Sequence, residues 1–175
     1  MTEEYKFNNR GHLVYAVNAW ISDETAATAT YGNINTWDVS GITDFSVLFI
    51  SKTTFNSDIS NWNVSSGTDF NRMFAGAEAF NQDIGSWNVS SGTDFGGMFY
   101  NADAFDQNLS LWDVNSEANL SDMFFGSLAS ANQVFPDSIN ISYFAATTGD
   151  DTIMGTANVD DSLRGHDGHD NLYGL

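Results

Sequence analysis

Four tryptophans, Trp37, Trp62, Trp87 and Trp112, each stand 25 residues from the next. The same step links Val39, Val64, Val89 and Val114, then Phe45, Phe70, Phe95 and Leu120. Leu48, Met73, Met98 and Met123 form a further column, and so do Phe49, Phe74, Phe99 and Phe124. A fixed period of this length marks units that cannot bury their apolar side alone and must stack on their neighbours. Burying one such aromatic contributes about 1.5–3 kcal/mol, so several columns per unit can offset the entropy of ordering the chain. One core propagated along an axis is the expected outcome.

Within a unit two periodicities alternate. Ile34-x-x-Trp37-x-Val39 and its counterparts from Ile59, Ile84 and Leu109 fit the L-x-x-L-x-L strand of leucine-rich repeats. Trp and Val two apart share one side of a strand, inward by their bulk. In "TDFNRMFAGAEAF", Phe70, Met73 and Phe74 fall at i, i+3, i+4, one face of a helix. Thr43, Thr68 and Thr93 read as its N-caps, each followed by an Asp suited to the positive helix end; in the fourth unit Ala118 stands instead. The expected fold is an α/β solenoid resembling leucine-rich repeats, with a strand plus a helix per 25-residue repeat over residues 34–146. Its degenerate last strand lies in "VFPDSINISYF", with Ile139 and Ile141 in the Trp and Val columns. Residues 1–33 read as an N-terminal helical cap, with Leu13, Val14, Val17, Trp20 and Ile21 at helical spacing.

Charge removes several function classes. Five Lys and Arg face 23 Asp and Glu, a net of −18. A nucleic-acid partner would require a basic stripe, and an anionic membrane surface would repel the chain. Cysteine is absent, so no disulfide framework and no thiolate metal site exist; this suits exported proteins that cross a channel unfolded. No apolar run is long enough to span a bilayer. The start, "MTEEYKFNN", carries no charged-then-apolar signal and reads as an artificial boundary or an unprocessed start.

The stretch "FNQDIGSWNVSSGTDFGGMF", Phe80 to Phe99, resembles a bacterial surface-protein repeat first noted in mycoplasma lipoproteins, roughly F-N-Q-D-I-S-x-W-D-V-S-x-V-T-D-M-x-x-M-F. The resemblance spans about residues 34–128 and implies a cell-surface or secreted protein without catalytic residues. One departure is consistent: Gly67 and Gly92 replace an apolar residue that Ile42 keeps, which is expected to loosen the strand-to-helix corner.

With Trp and Val inward, the alternate positions face out: Thr36 and Asp38, Asn61 and Asn63, Ser86 and Asn88, Leu111 and Asp113, with Ser40, Ser65, Ser90 and Asn115 beyond them. Stacked, they form a face of hydroxyl, amide and carboxylate groups. It reads either as a platform for a peptide or glycan or simply as solvated polar residues on a curved sheet. Leu111 is its one apolar member. The tryptophans could stack on sugars, but their column position assigns them to the core. Asn56/Asp58, Asn81/Asp83 and Asp106/Asn108 pair one acid with one amide per unit and read as structural corners, a weak cation site along that edge being the alternative.

From Thr147 the composition shifts to Asp and Gly. The run Gly165-His166-Asp167-Gly168-His169-Asp170-Asn171-Leu172 fits G-G-x-G-x-D-x-L-x except at His166, with "TGDDTIM" and "VDDSLRG" as looser copies. Their apolar anchors, Ile153, Leu163 and Leu172, lie ten and nine residues apart. This segment, 147–175, resembles the nonapeptide repeats of repeats-in-toxin proteins, which wind a parallel β-roll around calcium. The resemblance implies Ca²⁺ held by Asp151, Asp167 and Asp170 with backbone at Gly165 and Gly168, and Asp161 on the opposite edge. An acidic disordered tail is the other reading. His166 and His169 read as exposed loop residues, not zinc ligands, and His12 shows no partner.

The leading functional expectation is an extracellular bacterial binding or adhesion module. It would present its polar face to a peptide, glycan or cell surface while calcium folds the tail. A spacer or surface-layer repeat without a ligand is the alternative. An enzyme is not expected, since no Ser-His-Asp arrangement, zinc motif or phosphate loop is present. A regular polar array could also meet ice or mineral, with no specific motif behind it.

Overall fold

A computed structural model describes residues 5–131, 152–154 and 171–173. The expected helical cap is two helices. Helix α1, Arg10–Ser22, starts where the Asn9 side chain accepts the His12 N–H, and it buries Leu13, Ala16, Val17 and Trp20 on one face. Asp23 serves both helices. Its N–H closes α1 on the Ala19 carbonyl, and its Oδ1 accepts the Ala26 N–H to open α2, Glu24–Tyr31. Gly32, at φ 75, then stops α2. Ahead of α1, residues 5–7 run beside Asp38, with the Phe7 N–H on the Asp38 carbonyl (2.8 Å) and the Asp38 N–H on the Tyr5 carbonyl (2.9 Å).

The repeats stack, but the expected strand and helix per unit do not form. Among the described residues the repeats contain no strand, and α1 and α2 are the only α-helices; short 3₁₀ turns occupy Ile34–Thr36 and Leu128–Ala131. An α/β solenoid is therefore the wrong description. The Ile-x-x-Trp spacing is a turn, not an extended run: the Trp62 N–H closes on the Ile59 carbonyl (3.1 Å) and the Gly67 N–H on the Val64 carbonyl (2.8 Å). Isolated parallel bridges join successive units at Asp44, Asp69, Asp94 and Asn119.

The helix-spaced stretch is a ribbon of successive turns. The N–H groups of Met73, Ala75 and Ala77 return to the carbonyls three residues back, at Phe70, Arg72 and Phe74. The alternate N–H groups leave the coil altogether. Phe70, Arg72, Phe74 and Gly76 donate to Asp94, Gly96, Met98 and Tyr100 of the next coil at 2.8, 2.9, 2.9 and 2.7 Å. A helix would need those same donors for its own carbonyls four residues back. The ribbon also requires two left-handed residues per coil. Val47, Arg72, Gly97 and Asp122 have φ of 51, 52, 59 and 55, and Ser51, Gly76, Asn101 and Gly126 have φ of 54, 68, 51 and 75. An α-helix accommodates none of them.

The side-chain columns do what the spacing demanded. Phe49, Phe74, Phe99 and Phe124 stack with centroids 5.2, 5.6 and 5.4 Å apart and nearly parallel planes. Phe45, Phe70 and Phe95 do the same at 5.4 and 5.2 Å, and Phe55, Phe80 and Phe105 at 5.8 and 5.9 Å. All four column tryptophans are buried. Each of three indole N–H groups reaches back one coil: Trp62 to the Ile34 carbonyl, Trp87 to Ile59 and Trp112 to Ile84, at 2.7, 3.3 and 3.0 Å. A buried indole thus finds its polar partner and ties coil to coil in one contact.

Two smaller expectations also change. Thr68 and Thr93 cap no helix; their hydroxyls donate to the Thr43 and Thr68 carbonyls of the preceding coil (3.2 and 3.0 Å). Gly67 and Gly92 do not loosen a corner, because the Phe70 and Phe95 rings fill the space that a side chain would take. A Cβ there would lie 2.4 and 2.2 Å from the ring Cζ atoms. The expected last strand around Ile139 and Ile141 lies outside the described residues. Beyond the coils, β1, Thr152–Met154, pairs in parallel with β2, Asn171–Tyr173, in a register that sets Ile153 against Leu172.

Candidate binding face

The predicted outward positions do face solvent, but the structure divides them. Thr36, Asn61, Asn63, Ser86, Asn88, Leu111 and Asp113 are exposed, whereas Asp38 is half-buried. The flanking N-terminal segment claims Asp38: Lys6 Nζ lies 3.0 Å from its Oδ2, while its Oδ1 accepts the Ser40 N–H (3.0 Å) and hydroxyl (2.6 Å). Those serine bonds, chiefly the hydroxyl, hold the Asp38 carboxyl below its ordinary value against an opposing push from burial, with Lys6 adding to the lowering. Thr36 is likewise committed, its hydroxyl on the Asn33 carbonyl (2.8 Å). The free part of the face therefore begins at the second coil, with Asn61 and Asn63.

Within that face Asn63 and Asn88 each close their own turn. Asn63 Oδ1 accepts the Ser65 N–H and hydroxyl at 3.2 and 2.7 Å, and Asn88 Oδ1 accepts those of Ser90 at 3.1 and 2.8 Å. This is an Asx turn, in which the side chain replaces a backbone acceptor. The Asn61 N–H is held by Asn35 Oδ1 (2.9 Å). Leu111 is 82% exposed, the most exposed large apolar residue among those described. What the face offers a partner is a row of amide nitrogens and hydroxyls on a rigid frame, ended by one apolar side chain.

The acid–amide edge consists of corners. The Asn81 N–H donates to Asn56 Oδ1 and the Asp106 N–H to Asn81 Oδ1, at 2.9 and 3.0 Å, while Gln82 Nε2 also reaches Asn56 Oδ1 (2.9 Å). Asp58 and Asp83 accept the N–H groups of Ser60 and Gly85. Among the described residues no group of three or more His, Asp or Glu could hold a metal ion, and the edge supplies none. Asp151, Asp161, Gly165, Asp167, Gly168 and Asp170, with His166 and His169, lie outside the described residues. His12 has partners after all: the Tyr5 hydroxyl at 3.4 Å, and the rings of Tyr5, Phe7 and Tyr31 around it.

Sequence reasoning missed one feature. An open groove of about 350 Å³ runs between the helix junction and the first coil, lined by Trp20, Ile21, Glu24, Thr54, Phe55, Asn56 and Ser57. Trp20 anchors it, its indole N–H on Ser57 Oγ (2.9 Å). The available signal was that Trp20 alone among the tryptophans stands off the 25-residue column.

Stacked near-identical coils, each buried only against its neighbours, define a repeat protein. The chain belongs to the family described as Mycoplasma protein of unknown function, DUF285, whose model matches residues 18–137. No curated protein and no solved structure matches the chain. Among the described residues no helix is long and apolar enough to cross a membrane.

Proposed function

We propose that the protein is a non-catalytic binding module of a bacterial cell surface or its surroundings, docking a peptide or glycan on the coil face from Asn61 to Asp113. The observation that carries this reading is the exposed row of Asn61, Asn63, Ser86, Asn88 and Leu111 on coils whose ribbon segments, 70–76 and 95–101, are bonded from coil to coil. A rigid, repeated hydrogen-bonding surface loses little entropy when a ligand settles on it. Bulky replacements at Asn63 and Asn88 should abolish affinity in a glycan and peptide screen, with loss of the turn acceptors lowering the unfolding free energy by about 1 kcal/mol at each position. Equal affinity in the variants would remove the face from consideration. A spacer without a ligand has one observation of its own in favour: Asn63 and Asn88 already use their oxygens inside the coil. A screen without hits would leave that reading standing.

The C-terminal segment is proposed to take up calcium. Its support is the parallel pairing of β1 with β2, whose partners Ile153 and Leu172 are 19 residues apart, the sum of the ten- and nine-residue steps through Leu163. A roll with two strands per turn pairs strands at that separation. The surrounding sequence is rich in Asp and Gly, the hard carboxylate and carbonyl oxygen donors that Ca²⁺ selects. Asp151, Asp161, Asp167 and Asp170, with backbone at Gly165 and Gly168, are the residues that would hold it, and the ion would supply charge neutralisation to a segment of like carboxylates. Excess calcium should raise the unfolding temperature of the segment by mass action; a midpoint that does not move would exclude the site.

A further inference from the structure

Asn63-Val64-Ser65 and Asn88-Val89-Ser90 are Asn-x-Ser triplets, the acceptor pattern for N-linked sugar. Such triplets are common in Asn- and Ser-rich chains, so the pattern alone decides nothing. The geometry of three related turns does more. In the first coil Asp38-Val39-Ser40 builds the same turn, its Oδ1 accepting the Ser40 N–H at 3.0 Å and the hydroxyl at 2.6 Å. An oxygen is therefore all that the turn requires. In coils two and three the residue is Asn, and its Nδ2 is surplus to the turn: it makes no hydrogen bond among the described residues, and both asparagines are exposed. Asn108-Leu109-Ser110 repeats the triplet with the N–H bond alone.

Asn119-Leu120-Ser121 supplies the contrast. It carries the same triplet, and its Oδ1 accepts the Ser121 N–H (3.1 Å), yet its Nδ2 donates to Asp94 Oδ1 at 2.9 Å. That amide is engaged by the neighbouring coil. Four triplets among the described residues thus differ in whether the amide nitrogen is available.

We infer that Asn63 and Asn88 are acceptor sites for N-linked glycosylation on the folded protein, the sugar coming from a nucleotide-activated hexose through an asparagine-directed glycosyltransferase. In that step the Nδ2 lone pair forms a bond to the anomeric carbon. The bond from that carbon to the nucleoside diphosphate oxygen breaks, the diphosphate leaves with the electron pair, and one Nδ2 proton passes to a base of the transferase. The Oδ1 bonds to serine are retained, so the turn survives modification. Sugar at these positions would stand on the row proposed for docking, so the two uses exclude each other on any one molecule.

The test is incubation of the folded full chain with UDP-glucose and a soluble glycosyltransferase chosen for its activity on a free Asn-Val-Ser peptide. Intact mass and peptide mapping are the readouts. Hexose on Asn63 and Asn88, none on Asn119, and no hexose at either position in N63Q/N88Q is the expected result. Asn63 and Asn88 left bare, modified only after unfolding, or modified no faster than Asn119 would each overturn the inference. The readout is covalent, so it stands apart from whether the unmodified face docks a ligand.

Discussion

Helix α1 and the ribbon of the second coil share one sequence signature and solve it in opposite ways. Leu13, Ala16, Val17 and Trp20 are spaced like Phe70, Met73 and Phe74, and both sets are buried. In α1 the backbone is closed locally, from the Asn9 cap to the Asp23 N–H on Ala19. In the ribbon every second N–H bonds a residue in the next coil. A one-in-three, one-in-four apolar spacing reports which side chains point inward and not how the backbone is satisfied. The difference teaches that the helix satisfies its backbone with its own bonds, while a coil satisfies its backbone only as a member of the stack.

The sharpest way to break that comparison is to open the stack at its centre. The Phe74 ring touches Phe49 and Phe99 above and below and lies 4.0 Å from Phe80 within its own coil. Phe74→Ala should lower stability by about 3–5 kcal/mol in urea unfolding. In α1 the corresponding probe is Ala19→Gly, which weakens local backbone preference and should cost about 1 kcal/mol. A loss at Phe74 no larger than about 1 kcal/mol would mean that the stacked rings carry little of the stability of the coils.

One substitution should even change sign between the regions. At Gly92 a Cβ would meet Phe95 Cζ at 2.2 Å and the Val89 carbonyl oxygen at 3.0 Å, so Gly92→Ala should destabilise by about 1–3 kcal/mol. At Gly11, inside α1, the nearest atom to a new Cβ is Asn9 Oδ1 at 3.5 Å, an ordinary contact. Gly11→Ala should stabilise by about 0.5 kcal/mol through reduced freedom of the unfolded chain. Thermal melts of the two variants against wild type check both signs.

These contrasts show how much was legible beforehand. The 25-residue columns located the core, because recurring bulky apolar residues in one phase must stack inward, and Trp37, Trp62, Trp87 and Trp112 are buried as their phase required. The N-terminal helical cap was legible because Leu13, Val14, Val17, Trp20 and Ile21 fall at helical spacing; its division at Asp23 into two helices was not. The backbone of the repeats was not. Ile59-x-x-Trp62 is compatible with a strand or a four-residue turn, and only the Ile59 to Trp62 hydrogen bond separates them. The clue was present in the columns Val47, Arg72, Gly97, Asp122 and Ser51, Gly76, Asn101, Gly126. Gly, Asn and Asp recurring there are residues that tolerate a left-handed backbone. On the face, exposure followed from the alternation, but the loss of Asp38 to Lys6 depended on where residues 5–7 return, which no local pattern encodes.

Val47 turns that clue into a test of the ribbon itself. It is a β-branched residue at φ 51, where the third coil has Gly97 at φ 59. Left-handed backbone costs a residue with a Cβ about 1–2 kcal/mol. Val47→Gly should therefore stabilise the protein by about 1 kcal/mol, offset in part by the glycine's freedom when unfolded. In a helix the same change would destabilise, so the sign of the shift in urea midpoint separates the two backbones.

The smallest effect concerns the joint between the two regions. Coil meets coil mainly through neutral hydrogen bonds and stacked rings, whereas the N-terminal region adds to such contacts with the first coil Lys6–Asp38 (3.0 Å) and Arg10–Asp44 (3.1 Å), the two ion pairs among the described residues. Burial pushes the Asp44 carboxyl up, but the Ser46 hydroxyl and N–H together with Arg10 outweigh it, so it lies below its ordinary 3.8. Asp38 is lowered as well, chiefly by the Ser40 hydroxyl. A carboxyl whose folded value is depressed stabilises the fold above its unfolded value and loses that contribution as pH falls through the folded one. Acid should therefore loosen the N-terminal joint below about pH 4 while the neutral coil joints hold. Asp38→Asn keeps the turn acceptor, as Asn63 does one coil later, and removes the titrating group. Its urea midpoint should be lower than wild type near pH 6 and fall less steeply between about pH 4 and pH 2. Parallel curves for the two proteins would show that the joint does not depend on this charge.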